Sequence, residues 1–374
     1  MKRKRFGVIF SGGTAAGMNA TLEYLCRYAS KEGAELIGFC YGWEGLIENN
    51  IKSVDIDSTL GIGLNPGGTY LGSCSKINVF NHNGKEYSEI CYQTYKSRRL
   101  DAIFVLGGDG SNRQANELNQ KYPEMKFIWI SATLDRDVEG CDATIGFYTA
   151  VEHAAEDIAC MAMDGKTMRR HTITECMGRD TGLVTLYAVD RALRKHQDFS
   201  IDMVLVPEIE FDLDAICNRF SQARTPLNIV ISEGIVIKNN KEENVQEKEL
   251  IAGHHKDLSN TCKKLVAILQ PYSQLPIKTS IVGYSQRAGS VSSTDCFLAE
   301  NCAKIAVKEA ISNNSSRAIV FEGGSFHSIA MADLVKKNEN KQEKKEKILS
   351  EPVISILEDQ LSAAAFRKIL EVPK

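Results

Sequence analysis

The sequence predicts an α/β protein with parallel sheets, and three observations carry that expectation. Short, continuous apolar runs recur along the chain, as they do in strands buried on both faces. Longer amphipathic segments of helical period stand between them. The 374 residues suffice for two domains with sizeable cores. In chain order the apolar runs are Phe6–Phe10, Glu35–Cys40, Ala102–Leu106 and Phe127–Ile130, then His171–Cys176, Leu227–Ser232, Thr279–Gly283 and Ala318–Phe321. Ala15–Ser30, after the first run, and Val151–Met163, before the fifth, exemplify the helical segments. Two charged stretches, Lys238–Glu249 and Lys336–Lys347, carry mixed signs and no large apolar residue apart from Val245, so they read as solvated loops or helix faces.

The composition, 43% hydrophobic and 25% charged, is that of a soluble globular protein. A formal net charge of -3 leaves no domain-wide basic bias for a nucleic-acid partner. Met1-Lys2-Arg3-Lys4-Arg5 has the charge of a signal peptide, but the apolar run behind it ends at Ser11-Gly12-Gly13, too early for a signal core. No later run spans a membrane, and a cytoplasmic protein with no membrane partner is expected. Eleven cysteines lack any CxxC pair. Several, such as Cys26, Cys40, Cys160 and Cys302, fall inside apolar segments and read as small buried hydrophobes in a reducing compartment, against the alternatives of disulfides or a structural metal site. The histidines show no ligand spacing, and His254-His255 reads as solvated loop.

In an open parallel sheet, ligands bind beyond the carboxyl ends of the strands, so function is sought after each apolar run. The first run leads into Ser11-Gly12-Gly13-Thr14, where glycines allow the backbone to approach a phosphate and the next helix points its amide end at the anion; a tight turn with a packing role alone is the alternative. The third leads into Gly107-Gly108-Asp109-Gly110-Ser111-Asn112. A carboxylate among exposed amides suits a phosphate once a cation neutralises both, which suggests Mg2+ between Asp109 and a nucleotide phosphate; a helix cap is the competing role. After the fourth, Asp135 and Asp137 offer one general base and one supporting carboxylate, or a turn. Later runs end in Met177-Gly178-Arg179, Ser232-Glu233-Gly234 and Gly283-Tyr284-Ser285-Gln286-Arg287. Arginines there suit phosphate oxygens, and glutamate suits sugar hydroxyls.

Taken together, these segments resemble the phosphofructokinase family from about Phe6 to Val335. The matching motifs are SGGTAAGMNA from Ser11, YGWEGL from Tyr41, NPGGTYLGS from Asn65, GGDGSN from Gly107 and TLDRD from Thr133. They continue with TIGFYTA from Thr144, MGRDTG from Met177, SEGI from Ser232 and VGYSQRAGS from Val282. Their order and spacing, more than any one motif, make the resemblance specific. It implies two doubly wound domains with largely parallel sheets and an active site in the cleft between them. Residues 1–146 plus 287–335 are then the donor (ATP and Mg2+) domain, and 147–286 plus 336–374 the sugar-phosphate domain. It implies that Gly13 and Gly108, Asp109, Gly110 and Ser111 surround the donor, that Asp109 holds Mg2+, and that Asp135 takes the proton of the sugar 1-hydroxyl. Thr133 bonds near the transferred group and Arg179 stabilises its charge. Met177, Gly178, Glu233 and Arg287 position the sugar, and Arg170, Lys278 and Tyr284 bind its 6-phosphate. Part of that pocket comes from a neighbouring subunit in the family, so a homodimer or homotetramer is implied.

Gly110 and Ala132 stand where pyrophosphate-using members carry aspartate and lysine, which points to ATP. The sequence departs from the family at Thr14, commonly aspartate, and at Arg136, commonly asparagine, which either adds positive charge beside the base or points to solvent. Ser75 lies at or beside the position of a donor-bridging arginine, with Lys76 as its substitute. Lys278 replaces arginine and Tyr284 histidine; lysine binds phosphate as a point charge without the bidentate fork. Glu23 on the first helix disfavours an anionic effector there. The function expected is transfer of the ATP γ-phosphoryl group to fructose 6-phosphate; a pyrophosphate-dependent or other sugar-phosphate kinase, and a non-catalytic regulatory subunit, are the alternatives.

Overall fold

The computed structural model describes residues 3–64, 67–196, 198–237 and 261–339. The stretch Lys238–Glu249, the pair His254-His255, Asn65, Pro66 and everything from residue 340 onward lie outside them. The described chain forms two compact units, Met1–Thr149 with Arg287–Asn340, and Ala150–Gln286.

In chain order the strands are β1 (Arg5–Phe10), β2 (Glu35–Phe39), β3 (Ile51–Val54), β4 (Ala102–Gly107), β5 (Phe127–Thr133) and β6 (Ile145–Gly146) in the first unit. The second unit holds β7 (His171–Cys176), β8 (Met203–Leu205), β9 (Asn228–Ser232) and β10 (Ile277–Ile281). The chain then returns for β11 (Arg317–Glu322) and β12 (Ser325–Ala330).

The first sheet runs β12-β11-β5-β4-β1-β2-β3, with β6 paired to β5. It is parallel except for its two edges, where β3 runs against β2 and β12 against β11. Helices Met18–Lys31 and Ser293–Ser312 cover one face, where Leu22, Leu25 and Ala29 join Ala299, Ala303 and Ala306 in a single apolar cluster. The other face buries Trp43, Tyr95, Leu118 and Leu334, from four further helices, over Ile103, Val105 and Trp129. Burial on both faces explains why β1, β4 and β5 read as unbroken apolar runs. Connections leave β1 toward β2 on one side and lie beside β4 on the other, so a topological switch point falls between β1 and β4.

The second sheet, β10-β7-β9-β8, is wholly parallel. One face buries Ala154, Ile158, Leu186 and Val189; the other buries Ile216, Phe220, Leu265 and Leu269. Both units are doubly wound, as expected. β10 is a correction: it begins two residues earlier than the run Thr279–Gly283, and it is an edge strand whose Lys278, Thr279 and Ile281 are exposed. The cysteines also need one. All eleven are unbridged and most are buried, but Cys40, just past the end of β2, is half-buried, and Cys160 is exposed because the helix Phe147–Met168 turns only part of its apolar surface inward.

Candidate active site

In the first unit, strand register sets three loops side by side. Phe10 is paired with Leu106, and Gly107 with Ser131, so Ser11, Gly108 and Ala132 begin their loops at one edge of the sheet. The Ser11 amide donates to the Leu106 carbonyl at 2.9 Å. Its hydroxyl accepts the Trp43 indole N–H at 2.8 Å and lies 2.8 Å from the Ser111 hydroxyl, tying the two glycine loops together. Gly107 has to be glycine: a Cβ there would stand 2.3 Å from the Ser11 carbonyl oxygen. Gly12 takes φ +91, a left-handed conformation open to glycine at little cost.

Gly110 faces open space, with nothing within 4 Å of where its Cβ would be. Beside it, Asp109 opens the helix Asp109–Lys121, and its carboxylate accepts from Arg113 Nη2 at 2.7 Å. Among the described residues no group of three or more His, Cys, Asp and Glu side chains could hold a metal ion. A lone carboxylate beside open space at a helix amino end fits Mg2+, which binds through one or two carboxylates plus substrate phosphates. Lys76 is exposed, two residues beyond Cys74, whose carbonyl accepts the Gly12 amide at 3.1 Å.

Thr133 ends β5, and its hydroxyl accepts the Asp135 amide at 3.3 Å. Asp135 is buried, 8% exposed. Arg136 takes φ 51 and lays its guanidinium over the Phe147 ring, 5.2 Å from the centroid, so it rests on an aromatic face instead of reaching into solvent. Arg287 lies in this unit against the first glycine loop: Nη1 donates to the Thr14 carbonyl at 3.1 Å, and a Cβ on Gly13 would stand 2.9 Å from that nitrogen.

In the second unit, Glu233 follows β9 and reaches across to the loop after β7. Its Oε1 accepts the amides of Gly178 at 3.2 Å and Arg179 at 3.0 Å. Those two residues sit at φ 150 and φ 51, so the glutamate holds a left-handed turn in place. Gly234 closes the contact; a Cβ there would fall 1.7 Å from the Arg179 carbonyl oxygen. Gln286 accepts the Met177 amide at 2.9 Å, and Glu208 accepts the Gly182 amide with both carboxylate oxygens, at 2.8 and 3.0 Å. Burial pushes the Glu208 carboxyl above the usual carboxylate range.

Met177, Gly178, Arg179, Glu233 and Tyr284, the last 79% exposed, therefore share the carboxyl end of this sheet. Arg170 and Lys278 do not. They precede or open β7 and β10 at the amino end, with Lys278 paired to Thr172. At about 3.3 Å per residue, the length of β7 puts about 20 Å between the two groups.

Sequence reasoning missed Trp43, Arg113, Glu208 and Gln286. Trp43 and Gln286 stood inside quoted motifs; Arg113 had only its four-residue spacing from Asp109 as a signal. Glu208 had none.

Glycine turns at a switch point, a helix-opening carboxylate beside open space and a buried carboxylate after the neighbouring strand form the frame of a phosphate-handling α/β enzyme. The family model described as phosphofructokinase matches residues 5–310. Over 355 residues the chain is 29% identical to the ATP-dependent 6-phosphofructokinase 2 of Clostridium perfringens, spanning 90% of this chain and 93% of that one. Over 318 residues it is 32% identical to the ATP-dependent 6-phosphofructokinase of Buchnera aphidicola, spanning 84% and 88%. Among solved structures, it superposes on Pichia pastoris phosphofructokinase with a TM-score of 0.76 at 20% identity, covering 98% of this chain but only 39% of that one. A pyrophosphate-dependent phosphofructokinase from Marinobacter aquaeolei gives a TM-score of 0.73 at 20% identity, covering 88% and 83%. The chain belongs to the phosphofructokinase family.

Proposed function

We propose that the protein transfers the γ-phosphoryl group of ATP to the 1-hydroxyl of fructose 6-phosphate, giving fructose 1,6-bisphosphate and ADP as a step of glycolysis. The observation that carries this reading is the register at the switch point, which aligns Ser11–Gly13, Gly108–Ser111 and Thr133–Asp135. The curated relatives that match at high coverage are named as ATP-dependent enzymes of this reaction.

Phosphoryl transfer needs alignment and charge neutralisation more than covalent help. Asp135 takes the proton from the sugar hydroxyl as that oxygen bonds to the γ-phosphorus and the bond to the ADP oxygen breaks. Thr133 shapes that loop by accepting the Asp135 amide. Gly12 and Gly13 let backbone approach the donor, and Arg287 braces them through Thr14. Asp109 is the residue that would hold Mg2+, which neutralises donor phosphates when bound. Arg179, in a turn held by Glu233, has the role of stabilising the charge of the transferred group, and Met177, Gly178 and Glu233 that of orienting the sugar. The eleven unbridged cysteines suit a reducing cytoplasm.

The open space beside Gly110 supports ATP as donor. Gly110→Asp puts a second carboxylate there, and the expected result is a rise of at least about a hundredfold in the KM for ATP, from like-charge repulsion and lost room. A variant with an unchanged KM for ATP would remove Gly110 from the donor site.

Arg170 and Lys278, at the amino end of their sheet, are too far from Glu233 of the same chain to hold one small sugar phosphate with it. Their assigned role as 6-phosphate ligands thus calls for a second copy of this chain. A dimer or tetramer is expected by light scattering behind gel filtration; an active monomer would contradict that assignment.

A further inference from the structure

Asp109 carries the cation in the reading above, yet its carboxylate is already occupied. Arg113, one helical turn on, donates Nη2 to Oδ2 at 2.7 Å. The two side chains differ sharply in exposure, 11% for Asp109 and 51% for Arg113. The carboxylate is nearly enclosed, while the guanidinium approaches from the solvent side and can leave toward it. Ion pairs at this helical spacing with one partner in solvent are weak. A divalent ion that also binds donor phosphates is a stronger ligand for the same oxygen.

We propose that Arg113 is a positioning residue that occupies Asp109 until the metal–nucleotide arrives, and that guanidinium and divalent cation compete for this one carboxylate. The pair neutralises a nearly enclosed charge in the empty site, keeping Asp109 aimed at the loop. It also lowers the affinity for metal without nucleotide, so that metal enters with its donor. Once displaced, the guanidinium stands beside the metal's own ligands, where phosphate oxygens are its natural partners.

This inference rests on the assignment of Asp109 to the metal, and the test separates the two. Free Mn2+ is titrated by electron paramagnetic resonance against the full-length wild type, Arg113→Met and Asp109→Asn, each alone and with ADP. Arg113→Met keeps the length and apolar stem of the side chain and removes only the charge. It is expected to bind Mn2+ about two- to five-fold tighter than the wild type without nucleotide, the range set by exposed ion pairs. Asp109→Asn is expected to lose the ADP-dependent Mn2+ site. If Arg113→Met binds Mn2+ no tighter than the wild type while Asp109→Asn loses the ADP-dependent site, the competition is refuted and the metal assignment survives. If Asp109→Asn binds Mn2+ like the wild type with ADP, both fall.

Discussion

Asp135→Ala lowers kcat for phosphoryl transfer by about a thousandfold or more, with the fold and donor binding retained. General-base groups contribute about 10²–10⁴ in rate, and the sugar hydroxyl has no other carboxylate assigned to take its proton. The loop geometry limits collateral damage. Asp135 is held through its backbone amide by Thr133, and Arg136 is anchored on Phe147, so truncating the Asp135 side chain leaves both contacts in place. The change should therefore appear in kcat far more than in KM, the pattern of an interaction made in the transition state. Circular dichroism and ATP binding serve as controls. A mutant turning over within tenfold of the wild type would remove Asp135 from the chemistry.

The second large effect is at Glu233. Its Oε1 accepts two backbone amides, and hydrogen bonds to charged groups are each worth about 1.5–3 kcal/mol. Glu233→Ala leaves the amides of Gly178 and Arg179 without that partner and releases a turn that puts Arg179 at a positive φ. A fall of about a hundredfold in kcat/KM for fructose 6-phosphate is expected, shared between sugar binding and the placement of Arg179. Glu233→Gln discriminates between the roles. Its amide oxygen can still accept both N–H groups, so Gln should recover the part of kcat that depends on Arg179 while leaving a raised sugar KM. Equal losses in Ala and Gln would mean that the charge acts on substrate and that the turn does not need Glu233 to hold it.

The legible part of the fold was its buried part. All eight expected strands are present; most are buried nearly throughout, which favours continuous apolar runs, and β10, an exposed edge, is the exception. The strands that were not read, β3, β6, β8 and β12, are edges or are only two or three residues long. β12 is half exposed along its length, and its one strong signal was the Gly323-Gly324 pair, both glycines at positive φ in a two-residue hairpin turn. β10 was misplaced for the same reason: an edge strand such as Lys278-Thr279-Ser280 has no continuous apolar run to mark its start.

Most loops of the site were equally legible, since they follow buried strands, and the first two carry glycine where backbone must approach backbone, as at Gly107. What pairs with what was not. That Arg136 would rest on Phe147, that Gln286 would hold the Met177 amide, or that Arg287 would brace the first glycine loop depends on contacts between segments far apart in sequence. The Asp109–Arg113 pair was local, but a four-residue spacing of opposite charges marks any solvated helix face, so nothing set it apart.

The central claim is ATP-dependent phosphorylation of fructose 6-phosphate, and its most direct test is phosphorus NMR of the products formed by the purified protein. The protein would be given Mg2+ and fructose 6-phosphate, with ATP or pyrophosphate supplied separately. Stoichiometric ADP and fructose 1,6-bisphosphate with ATP, and no bisphosphate with pyrophosphate, is the predicted result. Bisphosphate formed from pyrophosphate alone, or from neither donor, would contradict it.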